Sequence, residues 1–252
     1  MTVLQAQSRH EGDGPTPIAG LLVIDKPIGP TSMDVCRRIR GRLKAGGAPK
    51  RIKVGHGGTL DPLASGVLVV LVGKATKLCE QIMAGEKRYL TEIDLSVWSP
   101  TDDLESEPVA VDAPAPSEDE IRDACTRFVG TIQQVPPAHS AVHVGGRRAY
   151  DLARSGEEVK LEPRTVVVHS CEPVLYQWPK VELDIRCGKG VYIRSIARDL
   201  GRALTGGGVM TALRRTGVGR FGIEDARPFD GLPDPLTRDD LDPVPSPGTP
   251  PS

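Results

Sequence analysis

Asp61 stands in the stretch Gly-His-Gly-Gly-Thr-Leu-Asp-Pro (55–62), directly before the apolar run Gly-Val-Leu-Val-Val-Leu-Val-Gly (66–73). An acid that precedes proline is pushed to extended backbone, and Gly55, Gly57 and Gly58 let main chain approach a ligand closely. The carboxylate therefore has a fixed place at the lip of a strand. No second acid accompanies it in the motif. Its open chemistry is covalent attack or proton transfer by one carboxylate, rather than the paired-acid hydrolysis of glycosides. An arbitrary Asp-Pro is more often a turn acid capping a loop. Three features favour chemistry here: His56 in the same loop, Tyr89 behind Lys87 and Arg88, and Tyr192 with Arg194 in Cys-Gly-Lys-Gly-Val-Tyr-Ile-Arg (187–194). An arginine close to a lone aspartate would lock its orientation with a bidentate contact. Each feature alone is weak, since the last segment also reads as a helix start with a buried tyrosine.

These residues need elements to position them. Residues 20–27 read as a buried strand stopped by proline. Thr31 and Asp34 form a capping box that opens an amphipathic helix ending near Gly46-Gly47. Residues 66–73 are too short for a buried helix and rich in valine, which makes them a central strand. A short helix over 75–85, a strand over 87–98, an acidic loop over 99–116 and a helix capped by Ser117 and Glu120 follow. Then come a strand after 136–144, a helix over 146–156, strands over 164–176 and 180–190, a helix over 192–204 and a last strand to about 221. Strands often succeed one another without a crossover helix, so the expected class is α+β with a mixed, mostly antiparallel sheet. Residues 1–17 read as a flexible tail, 18–227 as one catalytic domain, and 228–252, crowded with proline and aspartate, as a disordered end.

With 252 residues the chain can build a real core. No stretch of about 18 apolar residues is present and the N-terminus has no signal-like apolar region, so a cytoplasmic protein without membrane contact is expected. The five cysteines are scattered, which suits reduced thiols and argues against a zinc site. Charge is uneven. Residues 1–90 carry 14 Lys+Arg against 7 Asp+Glu, 91–125 carry 1 against 11, and 126–227 carry 16 against 10. These blocks are either solvated faces that happen to segregate or a basic surface for a polyanion. Arg37, Arg38, Arg40, Lys77, Arg147, Arg148, Arg214 and Arg215 are the candidates to meet phosphates, in binding that weakens with salt.

Five segments in order complete the picture: Asp-Lys-Pro-Ile-Gly-Pro-Thr-Ser (25–32), 55–77, Lys-Arg-Tyr (87–89), 134–159 and 187–201. Together they resemble the signature blocks of the TruB-type tRNA pseudouridine synthases. The resemblance implies a pseudouridine-synthase fold, with a cleft across a mostly antiparallel sheet flanked by helices. It also implies isomerisation of the T-loop uridine at tRNA position 55. It assigns Asp61 as the catalytic acid, Tyr89 as the ring on the target base, Tyr192 and Arg194 as pocket residues, with Arg194 pairing the acid, and Leu213 as an apolar wall. His56 would enter the T-loop as the nucleotide flips out, and Lys26 belongs to a mainly structural block at the substrate site. The reaction breaks a glycosidic bond, turns the uracil and rejoins it through carbon, so no redox cofactor is required. The implied partner is the tRNA T-arm, bound by a monomer without an obligate protein partner. A tRNA-folding chaperone and a nucleoside hydrolase are the competing readings. The chain departs from the pattern at Gly57, where threonine is usual, and after Tyr89, where Asp102 is the nearest counterpart of a family aspartate. The end also departs: 25 proline-rich residues are too few for an added RNA-binding domain.

Overall fold

A computed structural model describes residues 18–138, 140, 143–144, 147–148 and 161–244. In chain order the strands are β1 (Gly20–Lys26), β2 (Val54–His56), β3 (Ala64–Val72), β4 (Lys87–Asp94), β5 (Val97–Trp98), β6 (Val109–Ala110), β7 (Gly130–Gln134), β8 (His143–Val144), β9 (Arg147–Arg148), β10 (Arg164–Gln177), β11 (Lys180–Cys187), β12 (Val209–Val218), β13 (Phe221–Gly222) and β14 (Arg227–Pro228). The helices are α1 (Ser32–Ala45), α2 (Cys79–Ala84), α3 (Glu118–Thr126) and α4 (Ile193–Leu204).

One sheet dominates, in the order β14-β1-β3-β12-β4-β11-β10-β7, with β2 added beside β3 and β13 beside β12. Only β1–β14 and β3–β12 are parallel; the remaining pairs of this sheet are antiparallel. The valine-rich run is a strand buried on both faces, as its lack of alternation requires. In β11 alternate residues Val181, Leu183, Ile185 and Cys187 are buried, so one face is covered and the other wet. Those inward residues meet α3 and α4 through Ile121, Cys125, Ile193, Ile196 and Leu200. On the other half of the sheet, Leu22, Ile24, Leu68 and Val70 pack beneath Val35, Ile39 and Leu43 of α1.

The two halves join at a narrow parallel seam of three pairs, Leu213↔Ala64, Arg214↔Ser65 and Arg215↔Gly66. Gly66 has φ of 106°, and a Cβ there would lie 2.2 Å from the Arg215 carbonyl oxygen. Glycine is therefore a condition of closing the sheet at this point. The seam brings β12 against the start of β3, three residues beyond Asp61.

Several expectations change. Residues 228–244, part of the end expected to be disordered, are packed: Phe229, Leu232 and Leu236 are buried beneath α1, and Leu21 exchanges main-chain bonds with Asp242. Apolar residues at 229, 232 and 236 fill a groove that proline-rich composition conceals. The expected helix over 75–85 is a 3-10 turn, Gly73–Leu78, followed by α2. The strand begun at Lys87 ends at Asp94, whose carboxylate accepts from the backbone and hydroxyl of Ser96 and turns the chain. Of the helix expected over 146–156, Arg147–Arg148 is a strand paired with β8, and the rest lies outside the described residues, as do 1–17.

Candidate active site

Every main-chain carbonyl from Gly58 to Pro62 has a donor. Arg215 Nη2 donates to Gly58 O (3.2 Å) and Nη1 to Thr59 O (3.0 Å). Ser32 Oγ donates to Leu60 O (2.9 Å) and accepts from Leu60 N (2.8 Å). Ala64 N donates to Asp61 O (3.1 Å) and Gly29 N to Pro62 O (2.8 Å). Ser32 is the first residue of α1, whose start is set by the Thr31–Asp34 capping box. The helix start and the acid's loop are thus one unit, although 28 residues separate Ser32 from Leu60.

The carboxylate of Asp61 projects from this frame and is 46% exposed. Its Oδ2 lies 3.2 Å from Arg194 Nη2, and Arg194 Nη1 donates to Asp103 Oδ2 at 3.1 Å. Arg194 and Asp103 are 9% and 5% exposed, so this cation is held between two acids in a nearly dry setting. Arg194 sits in the first turn of α4, whose N-cap is Tyr192. The side chain of Gln134, at the end of β7, accepts from Tyr192 N (2.8 Å) and donates to Tyr192 O (3.1 Å). Val135 O accepts from Ser195 Oγ and Arg198 Nη2, both at 2.9 Å. The segment 134–135 therefore fixes where α4 begins.

Tyr89 lies on β4, in register with Arg215 on one side and Ile185 on the other. It packs against the core cluster that includes Leu60, Ala64, Leu213 and Ile193. Burial raises its phenol pKa, against the opposing influence of Arg215. His56 ends β2; burial and then the charge of Arg215 push its pKa down, so the ring is neutral near pH 7. Among the described residues no group meets its buried Nδ1 in hydrogen-bond geometry. Gly57, the departure from the family pattern, has a reason in the packing: a Cβ there would lie 2.4 Å from Ile82 Cγ2.

Lys26 is fully buried, and its Nζ donates to Pro27 O (2.8 Å) and Pro30 O (3.0 Å). Burial lowers its pKa to about 8, with Asp61 pulling the other way. Both acceptors lie in the loop between β1 and α1. Leu213 is 9% exposed and stands between Ala64 and Thr91. Lys77 is exposed after the far end of β3, about 26 Å along the strand from Ala64 at ~3.3 Å per residue. There it lines a groove with Arg51, Lys53 and Lys74. Arg214 is engaged with Asp25 (2.7 Å) and Ser65.

One sequence expectation is corrected. Arg215 does not face phosphates: it is 2% exposed and bonded to main chain. Beside Asp61, the second acid that meets Arg194 is Asp103, while Asp102, with φ of 61°, turns to Arg198 (3.1 Å). Sequence reasoning missed Ser32, Gln134 and Asp103 as parts of the site. Ser32 and Gln134 carried a signal, at the edges of the segments 25–32 and 134–159, and Ser32 also as part of the capping sequence. Among the described residues no group of three His, Cys, Asp or Glu side chains could hold a metal ion. No helix among them is long and apolar enough to cross a membrane.

An acid-bearing loop clamped against a mixed sheet, with an arginine delivered by the facing helix, defines a pseudouridine-synthase fold. A solved Cbf5-Nop10-Gar1 complex contains a chain that superposes with a TM-score of 0.66 at 29% identity, covering 89% of this chain and 60% of that one. Residues 46–193 match the TruB family pseudouridylate synthase (N terminal domain), and 194–241 the tRNA pseudouridylate synthase B C-terminal domain. The tRNA pseudouridine synthase B of Phocaeicola vulgatus is 40% identical over 228 residues, 89% of this chain and 96% of that protein. That of Bacteroides fragilis is 44% identical over 208 residues, 81% and 88% respectively. The chain belongs to the TruB family of pseudouridylate synthases and is an isomerase.

Proposed function

We propose that this protein converts the T-loop uridine at tRNA position 55 to pseudouridine, with Asp61 as the catalytic carboxylate acting on a flipped-out nucleotide. The observation that carries this reading is the 3.2 Å approach of Arg194 to a carboxylate that stays half exposed. The curated relatives, named tRNA pseudouridine synthase B, support the substrate class.

The chemistry suits the residues. The N1–C1′ bond breaks, the uracil turns, and a C5–C1′ bond forms while the C5 proton leaves and N1 is protonated. Atoms balance within substrate and water, so one carboxylate that attacks carbon or moves a proton suffices. Arg194 orients that carboxylate through one oxygen, which leaves the second for substrate. The base must leave its stack to reach Asp61. Tyr89, Leu213 and Tyr192 provide a stacking wall of the kind that holds everted bases. His56 stands beside the acid's loop, placed to fill the space the nucleotide vacates. Lys77 is a candidate for backbone phosphates, with Arg147 and Arg148 on the β8–β9 hairpin and Arg214 once freed from Asp25.

Asp61→Asn tests the reading. Pseudouridine in a T-arm RNA, mapped by mass spectrometry, should fall at least about a thousandfold, with RNA affinity kept within about threefold. An active Asp61→Asn protein ends the assignment. Tight RNA binding by a wild-type chain that makes no pseudouridine would point instead to a folding chaperone.

A further inference from the structure

Two of the five donors that fix residues 58–62 come from one side chain. Arg215 is almost wholly buried, and its third donor, Nε, reaches Val67 O on β3 at 2.8 Å. The guanidinium thus bridges the strand that follows the acid's loop and the two residues that begin it. Among the described residues it makes no ion pair with a carboxylate; three carbonyl dipoles and the neighbouring Tyr89 phenol meet its charge. A buried cation without a counter-ion is costly. An apolar side chain of similar length would fill the space without that cost, but would supply none of the three donors.

The surrounding chain is built to admit this group. Gly66 gives up its Cβ so that the Arg215 backbone can close the seam, and Gly58, at φ of 126°, turns the loop where Arg215 grips it. Lys26 and Lys87, the neighbouring buried cations, also donate only to carbonyls, those of Pro27 and Pro30 and of Met83 and Gly85. Neither donates to the acid's loop. A lysine at 215 would keep the charge, yet its single ammonium lacks the planar fork that spans Gly58, Thr59 and Val67.

We propose that Arg215 is a positioning residue for the isomerisation: by locking Gly58 and Thr59 to β3 it sets where Asp61 stands relative to Arg194. This rests on the reading of Asp61 as the catalytic carboxylate. A displacement of about 1 Å in a reacting group costs on the order of a hundredfold in rate.

The test uses the full-length chain with Arg215→Lys and Arg215→Met. Single-turnover pseudouridine formation on a T-arm RNA, RNA affinity, and hydrogen exchange across the protein are measured for each. Arg215→Lys should lose about a hundredfold in rate while affinity stays within about threefold, and faster exchange should be confined to residues 57–62. Arg215→Met should lose more. A rate for Arg215→Lys within about threefold of wild type overturns the proposal. So does a loss that only follows RNA affinity, or faster exchange throughout the sheet, because Arg215 would then be merely structural. If the wild-type chain does not modify the RNA, the functional reading fails instead, and local exchange still reports whether Arg215 holds the loop.

Discussion

On one side of the site the loop carrying Asp61 is fixed through its main chain, carbonyl by carbonyl, and the carboxylate itself stays 46% exposed. On the other side Arg194 is fixed through its side chain, clamped between Asp61 and Asp103 and 9% exposed. The difference follows from what each group has to keep free. A carboxylate held by its own oxygens would have its lone pairs occupied by protein; one held by its backbone presents an oxygen to a ligand. A guanidinium has five donors in a plane, so it can satisfy two acids and still be dry. Burial makes its contact to Asp61 stronger than the same contact would be in water. Fixed backbone on one wall and fixed side chain on the other bring two groups 133 residues apart to 3.2 Å.

The largest expected effect is on the arginine side. Arg194→Gln leaves buried Asp103 without its cation and Asp61 without its orienting partner. Turnover of T-arm RNA should fall by about a thousandfold or more, and unfolding in urea should show a loss of about 3–5 kcal/mol. Asp103→Asn removes the clamp but leaves the cation. A fall of about ten- to a hundredfold in single-turnover rate is expected, with RNA affinity little changed. A full rate in that variant would mean that Arg194 needs only Asp61, and that the two walls are less different than they look.

Smaller effects test the acid side. Ser32→Ala orphans the buried N–H and C=O of Leu60, costing about 1–3 kcal/mol in thermal unfolding and about tenfold in rate. An unchanged rate would show that the remaining carbonyl bonds hold Asp61 unaided. The remaining effect is on the pH dependence of stability rather than on rate. Lys26 titrates near 8 in the folded chain against 10.5 in the open chain, so the unfolded state binds more protons between these values. Stability should therefore gain from this group as pH rises through that window, and the penalty of its buried charge is fully present below it. Comparing wild type with Lys26→Met by urea unfolding from about pH 7 to about pH 10.5 should show the difference moving in the wild type's favour.

Local rules carried much of this into the sequence. The Thr31–Asp34 and Ser117–Glu120 boxes mark helix starts because a side chain and a backbone amide three residues apart satisfy one another. The valine run and the alternation of 181–187 mark strands because burial on two faces or one leaves different patterns. Family-specific blocks single out Asp61, Tyr89 and Arg194 within the sequence itself. Where the reading failed, the deciding contact was distant. Lys77, Arg214 and Arg215 look alike as charges in a row, yet one is exposed, one is paired with Asp25 and one is buried. Asp102 and Asp103 are adjacent and identical in type, and a single left-handed residue sends them to different arginines. Phe229, Leu232 and Leu236 were hidden among prolines because composition averages over the three residues that matter.

What the sequence determined alone is therefore the set of short-range commitments: an extended acid before Pro62, glycines at 55, 57 and 58 with room for close approach, and elements whose faces are already apolar or wet. The tertiary structure decided which donors meet the carbonyls of 58–62, because Ser32 and Arg215 reach them across 28 and about 150 residues of chain. Hydrogen-bond partners at that separation are set by how two halves of a sheet close, and no local pattern records that closure.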